Sequence, residues 1–466
     1  MNYLIRPDSD LSDSTGLRLK PLLSEVRGKP IRPSDAEYEQ ARTLANNNWN
    51  HQPALIMRVA DARDVALTLR FAREQGIEIA VRSGGHSTCG HSSCSGGIVI
   101  DLRDLNALEF AQDQSWVWAG AGLTAGEVTA EVEKRKLIVG FGDAATVGIG
   151  GLTLGGGIGY MVRKHGLTID SVLAFEVVTA AGEVLIADAE NHPDLFWALR
   201  GGGGNFGVVT RFKYRLHPLP EFTGGPLILP LTPETLTGFV AAAEAAPDEL
   251  STIAMVMPAP PMPFLPPEMV GKTVLMGMMA FAGPVDQAEK ALAPFRALAK
   301  PIADLVGPAP YSSMYMPDDP ILHQSVSIRT TFMDGITKSQ AEKMLELIEG
   351  NEAPLRMIQV RVLGGAAARI APEATAFAHR QRKIMTVFLA IDTPETLARN
   401  EKWVSQCLKE LGDNGLGAYV NFLADEGDQR IRHAYPEATW NRLRQIKHRY
   451  DPDNIFRLNQ NIPPAV

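Results

Sequence analysis

The sequence predicts an α+β fold with more than one domain-sized unit, and three observations carry that prediction. A strand, helix, strand order reads over 54–81, and its second strand runs into a glycine-rich loop. Strand-like runs at 273–282, 355–363 and 384–391 alternate with helical ones at 285–300, 338–348 and 394–411, which suits an antiparallel sheet backed by helices. At 466 residues the chain is also too long for one ordinary core.

From the start of the chain, 16–26 (GLRLKPLLSEV) has helical character and 54–57 (ALIM) is a short apolar strand. Residues 61–73 (DARDVALTLRFAR) carry apolar side chains at helical spacing behind an acidic start, and Gly76 ends the helix. A strand at 77–81 then enters the loop 82–97, whose glycines let the backbone approach a ligand closely, with His86 at its centre; 98–100 closes it as another strand. In 140–159 (GFGDAATVGIGGLTLGGGIG) nine of twenty residues are glycine. Each interior glycine costs about 0.5–1 kcal/mol against alanine, so neither a helix nor an ordinary strand is expected there. A flat or phosphorylated ligand held by backbone N–H groups fills such space; the alternative is a set of turns packed on the protein itself. The cluster 201–207 (GGGGNFG) contains a formal GxGxxG, but a helical run precedes it and a strand-like run, 208–216, follows. That order is the reverse of a dinucleotide-binding turn, so NAD is not expected by this route. After 216–220 the composition turns rich in Pro and Met, marking a boundary, and Met255, Met257, Met262, Met269, Met276, Met278 and Met279 offer either an adaptable apolar wall or ordinary core. Near the end, 440–450 (WNRLRQIKHRY) reads as a basic helix with a solvated face.

Charge excludes some partners. With 45 basic and 53 acidic side chains, a net of -8 without long runs, nothing points to nucleic acid or an anionic membrane. No segment approaches the ~18 apolar residues of a membrane span, and 1–20 lacks a signal-peptide core. Three cysteines in a long chain argue against a disulfide scaffold and for a reducing compartment, so the expected location is cytoplasmic. His86, Cys89, His91 and Cys94 form HxxCxHxxC, a spacing zinc can use. Structural zinc sites draw on two separate knuckles and stabilise much smaller chains, so no metal is expected.

Several stretches together resemble one family: RSGGHS (82–87), GGIVIDL (96–102), TVGIGGLTLGGGIG (146–159), RKHGLTIDSV (163–172), HPDLFWALRGGGGNFGVVT (192–210) and YDPDNIFRLNQNIPP (450–464). In this order they are similar to the FAD-linked oxidases of the vanillyl-alcohol oxidase and p-cresol methylhydroxylase (PCMH) superfamily, berberine-bridge-enzyme-like branch. The resemblance implies a split PCMH-type FAD-binding domain of two α/β subdomains at 1–218, a substrate domain at 219–414, and a C-terminal return to the FAD-binding domain at 415–466.

It further implies FAD held through a single covalent bond to His86, because Ala144 stands where bicovalent members carry a second, cysteine tether. Cofactor contacts are implied for Arg82, Ser83, Gly84, Gly85, Ser87, His91 and Ser92 in the first loop. In the second they are Val147, Gly148, Gly150, Gly151, Gly155, Gly156, Gly157 and Gly159. Asp170, Asn205, Gly207, Val208, Val209, Tyr419, Asn421 and Asn459 complete the set. Val147 matches the position at which valine resembles oxidases and leucine dehydrogenases, implying dioxygen as acceptor and hydrogen peroxide as product. Tyr419, in YVNF (419–422), resembles the family's YxNY segment and is the first candidate for base or hydrogen-bond partner; Tyr160, His165 and His379-Arg380 are further candidates. The expected activity is oxidation of a small organic alcohol, amine or phenolic substrate by a monomer or homodimer. A flavin dehydrogenase with another acceptor, and a silent flavin-binding protein, are the alternatives.

Overall fold

A computed structural model describes residues 19–315, 320–412 and 417–466. Of the helical stretch expected at 16–26, residues 16–18 lie outside the described residues and one turn forms at Lys20–Leu23; the boundary at 414 also falls outside them.

The first layer is a four-stranded sheet in the order Lys29–Ile31, Leu55–Arg58, Ile98–Asp101, Ile79–Arg82. Leu55–Arg58 and Ile79–Arg82 both run parallel to Ile98–Asp101. The crossover helix, Ala62–Gln75, is delimited as its sequence indicates: the Asp61 side chain accepts from the Asp64 N–H, and Gly76 takes the left-handed conformation at φ 64°. Leu55, Met57, Ile98 and Ile100 are fully covered, as strands between two layers must be.

A second, five-stranded antiparallel sheet follows in the order Leu108–Phe110, Trp116–Gly120, Val208–Arg215, Val172–Val178, Val184–Asp188. The helix Pro193–Leu199 precedes Val208–Arg215, the order that had argued against a dinucleotide turn. One expectation fails here: Ile149–Leu154, inside the second glycine stretch, is a short helix. Ile149 and Leu154 anchor it in the core, and Gly150 packs so closely that a Cβ would lie 2.9 Å from the Ser83 side chain. Burial of its ends outweighs the poor helical propensity of two glycines.

The third unit is an antiparallel sheet in the order Ala303–Asp304, Thr223–Pro230, Thr273–Phe281, Leu250–Pro258, Leu355–Val362, Ile384–Asp392, Ser325–Met333, with Gly307–Pro308 also paired to Thr223–Pro230. Its strands at Thr223–Pro230, Leu250–Pro258 and Ser325–Met333 carry no clean alternation in the sequence, because both faces are covered. Val256, Leu275, Ile358 and Phe388 pack under the helices Pro233–Ala245, Val285–Arg296, Lys338–Glu349 and Leu397–Leu411. Ile253, Met255, Met257, Met276 and Met278 face the other way, into a core shared with the glycine-loop sheets. Among the described residues no helix is long and apolar enough to cross a membrane.

The C-terminal helix Glu437–Tyr450 returns to the first units. Its basic run is not simply solvated: Lys447 is fully buried, with Nζ 2.6 Å from Asp451 Oδ2 and donating to the carbonyls of Asn205 and Phe456 at 2.8 and 2.9 Å. A buried ammonium needs that complete set of acceptors.

Candidate active site

The three glycine stretches and the tail close around one cavity of ≈ 370 Å³. The strand Ile79–Arg82 delivers the first loop to it, and Ser83 ties that loop to the second: its hydroxyl donates to the Ala121 carbonyl at 2.7 Å and accepts from Gly150 N–H at 3.3 Å. Gly84 and Gly148 meet backbone to backbone, so a Cβ on Gly84 would lie 2.2 Å from Gly148 N; no other residue allows that approach. Asn205, 1% exposed, joins the third stretch to the tail. Its Nδ2 donates to the carbonyls of Gly202 (2.8 Å) and Gln460 (3.2 Å), and its Oδ1 accepts from Ile462 N–H at 2.9 Å.

Of the expected contacts, Ser83, Gly84, Gly85, His86, Ser87, His91 and Ser92 line the cavity from the first loop. Val147, Gly148, Gly150 and Gly151 line it from the second, and Asn205, Gly207, Val208, Val209, Tyr419, Asn421 and Asn459 complete that part of the wall. Burial lowers the His91 pKa to about 4, so its ring is neutral at physiological pH. Thr88 Oγ1, Ser92 Oγ and Asn459 Oδ1 are buried without a hydrogen-bond partner in protein. Buried polar atoms are normally satisfied, so this wall is built for a polar ligand.

Tyr419 is 3% exposed, and its phenolic oxygen accepts from Gly157 N–H and from Asn421 Nδ2, both at 2.9 Å. Burial raises its pKa; the bonds from Gly157 and Asn421 and the nearby Arg361 charge oppose the rise without cancelling it. The group is therefore a protonated phenol at neutral pH, with its own proton left to donate.

Several expected residues lie elsewhere. Arg82 is buried, but its guanidinium donates to the carbonyls of Ala41 (2.6 Å) and Thr43, bracing the segment behind the loop. Asp170 forms a buried two-pronged pair with Arg380 at 2.7 and 2.8 Å. Gly155, Gly156, Gly157 and Gly159 make room for protein rather than ligand: a Cβ would strike Asn421, Phe377, Thr168 and the Phe141 carbonyl, respectively. His379 Nε2 donates to the His433 carbonyl at 2.9 Å beneath Gly417, and burial lowers its pKa to about 4. Tyr160 is buried outside the lining, and His165 stacks on His217 with ring centroids 4.1 Å apart. Among the described residues no methionine lines this cavity; Met255, Met257, Met276, Met278 and Met279 are buried core, and Met262 and Met269 are half-buried against it.

Sequence reasoning missed other lining residues. Ile79 and Val81 alternate along a strand and could have been assigned from period two; Leu458 and Gln460 flank Asn459. Asp143, paired with Arg361 at 2.6 Å, and Ile328 on the large sheet carried no local signal. Among the described residues no group of three His, Cys, Asp or Glu side chains could hold a metal. Cys89 Sγ instead bonds the Leu423 carbonyl at 3.2 Å, and burial pushes the Cys89 and Cys94 thiols up to about 12.

Comparisons with known proteins agree with this arrangement. Residues 53–188 match the FAD binding domain family and residues 418–463 the berberine and berberine-like family. The uncharacterized FAD-linked oxidoreductase YgaK of Bacillus subtilis (strain 168) is 31% identical over 458 residues, covering 95% of this chain and 98% of that one. The (R)-6-hydroxynicotine oxidase of Paenarthrobacter nicotinovorans is 28% identical over 454 residues, covering 94% and 97%. Among solved structures, 6-hydroxy-D-nicotine oxidase from Arthrobacter nicotinovorans superposes with TM-score 0.83 at 25% identity, covering 94% of this chain and 98% of that one. A Physcomitrella patens berberine-bridge-like protein shares the fold with TM-score 0.84 at 22% identity, covering 96% and 99%. The chain belongs to the berberine-bridge-enzyme-like branch of the vanillyl-alcohol oxidase and PCMH superfamily and is an FAD-linked oxidase.

Proposed function

We propose that the cavity holds FAD through one covalent bond to His86 and that the enzyme oxidises a small organic alcohol, amine or phenolic substrate, with dioxygen as acceptor and hydrogen peroxide as product. The observation that carries this reading is the convergence of three glycine stretches and the C-terminal tail on a wall with unpaired buried oxygens at Thr88, Ser92 and Asn459. Such a wall suits a large, flat, polar cofactor approached by backbone. FAD, when bound, supplies a hydride acceptor and passes the electron pair to dioxygen.

The chain's own groups do the rest. The paired glycines of the first two loops bring His86 against the cofactor edge, and Ala144 provides no second tether. Tyr419, held by Gly157 and Asn421 with its proton available, donates a hydrogen bond to the substrate's reacting oxygen or nitrogen. Val147 lines the cavity and leaves room for dioxygen. Val147→Leu fills that room, so stopped-flow reoxidation of the photoreduced protein by air is expected to slow at least about tenfold; an unchanged rate removes dioxygen access through this position.

The test of the tether is acid precipitation of the purified protein. Yellow colour that stays with the pellet, and passes to the supernatant in His86→Ala, is the expected result. Colour released from the unaltered protein removes the covalent bond from the reading, and a colourless protein removes the cofactor.

A further inference from the structure

On the strand Leu355–Val362 the alternating residues Met357, Gln359 and Arg361 share one face. The register sets Gln359 opposite Met255 and Arg361 opposite Ile253, on the face turned toward the glycine-loop units. A charge among methionines and isoleucines needs compensation. Arg361 is 4% exposed. Its Nη2 donates to Asp143 Oδ2 and to Gln359 Oε1, both at 2.6 Å, and its Nε to Gln359 Oε1 at 3.2 Å. Its Nη1 is buried with no acceptor. Two other buried arginines, Arg163 and Arg82, place both Nη atoms on backbone carbonyls, those of Leu363 and Ala246 and those of Ala41 and Thr43, and leave only Nε without an acceptor. Arg361 is the reverse, with Nε bonded and a terminal nitrogen, Nη1, unmet.

The cluster borders the cavity at the Tyr419 end. Asp143 and Phe422 are in the lining; the Arg361 guanidinium carbon lies 5.5 Å from the Phe422 ring centroid, and that ring lies 5.2 Å from the Tyr419 ring. The Asp143 side chain is 25% exposed while its Oδ2 is held by Arg361.

We propose that Arg361 and Asp143 are a specificity-determining pair that anchors a hydroxyl group of the substrate, its oxygen accepting from Nη1 and its hydrogen going to the Asp143 carboxylate. The proposal rests on the oxidase reading above and narrows its substrate. Charge and hydrogen-bond count select the class. Asp143 already neutralises Arg361, so a carboxylate would bring an unbalanced charge into a poorly solvated site. An ammonium would satisfy Asp143 and leave Nη1 unmet, and a carbonyl would do the reverse. A hydroxyl is donor and acceptor at once.

The test is a visible difference titration of the yellow protein with four probes built on one ring: 4-methylphenol, 4-methylbenzylamine as the ammonium, 4-methylbenzoate and toluene. The expected result is 4-methylphenol binding about tenfold or more tightly than toluene, with the ammonium and the acid showing no such gain. Arg361→Met is expected to bring the phenol to within about twofold of toluene, with the toluene affinity itself reporting an intact cavity. Asp143→Asn leaves the guanidinium charge unbalanced and is expected to admit 4-methylbenzoate; this variant keeps the proposal testable should Arg361→Met fail to fold. The proposal is overturned if the unaltered protein shows no phenol preference, whether all probes bind alike or none binds. It is equally overturned if the preference survives Arg361→Met or if Asp143→Asn still excludes the acid. In each case the yellow flavin spectrum leaves the oxidase reading standing, whereas a colourless protein removes both.

Discussion

Lys447→Met is expected to destabilise the protein by about 3–5 kcal/mol and to lower the share of chains that take up flavin as they fold, because it leaves the Asp451 carboxylate buried without its cation. Lys447 and Asp451 are both fully buried, 2.6 Å apart. The same ammonium ties the helix Glu437–Tyr450 to the third glycine stretch through the Asn205 carbonyl and to the tail through the Phe456 carbonyl. Asp451 in turn accepts from the backbone N–H groups of Ile455 and Phe456 at 2.8 and 2.9 Å. Those bonds aim Phe456, Leu458, Asn459 and Gln460 at the cavity, so loosening the pair opens one wall. Thermal unfolding and flavin absorbance after gel filtration measure the two effects. The double variant Lys447→Met with Asp451→Asn should recover part of the loss, since it removes the orphaned charge while keeping an acceptor for one of the two N–H groups. A single variant that melts with the unaltered protein and stays fully yellow would show that the pair does not hold the tail.

Stability is expected to fall steeply as pH drops below about 6.5. Burial lowers the imidazole pKa of His91, His217 and His379 to about 4 and of His165 to about 3. His165 and His217 also stack at 4.1 Å, so a proton on one ring opposes a proton on the other. Above pH 6.5 all four rings are neutral in both the folded and the unfolded chain. Below it the unfolded chain takes up protons that the folded one refuses, so stability is lost until the pH reaches the folded values. Each imidazole adds a slope of up to about 1.4 kcal/mol per pH unit. Melting temperatures at pH 7, 6 and 5 should decrease with a steepening slope; a flat profile over that range would mean that these rings are solvated.

Much of the fold was legible because its signals are local. Asp61 and Gly76 bracket a helix through their own backbone neighbours, and the helix before Val208–Arg215 reverses the dinucleotide-binding order over a span of residues readable by eye. The concentration of glycine in 82–97, 140–159 and 201–207 marked where backbone, not side chain, would have to do the contacting. Strands covered on both faces, such as Thr223–Pro230, escaped because period two vanishes when neither side meets water.

What lies opposite each residue was decided by the tertiary structure. Glycines a few positions apart in one stretch divide into those that line the cavity, Gly148, Gly150 and Gly151, the first two also pressed against the first loop, and those that yield to Asn421, Phe377 and Thr168 away from it, because the opposing atoms come from distant segments. Arg82 and Asp170 look alike in sequence to ligand contacts, yet backbone carbonyls near Thr43 and the guanidinium of Arg380 claim them. The basic run at the C-terminus carries one lysine turned inward, distinguished from its neighbours only by where Asp451 and Asn205 meet it. Asp143 and Arg361 are 218 residues apart, and no periodicity links them. The sequence by itself determined which segments could bend, cap and approach; long-range packing determined which of those approaches ended on protein and which were left for a ligand, since burial and unmet hydrogen bonds are properties of pairs rather than of residues.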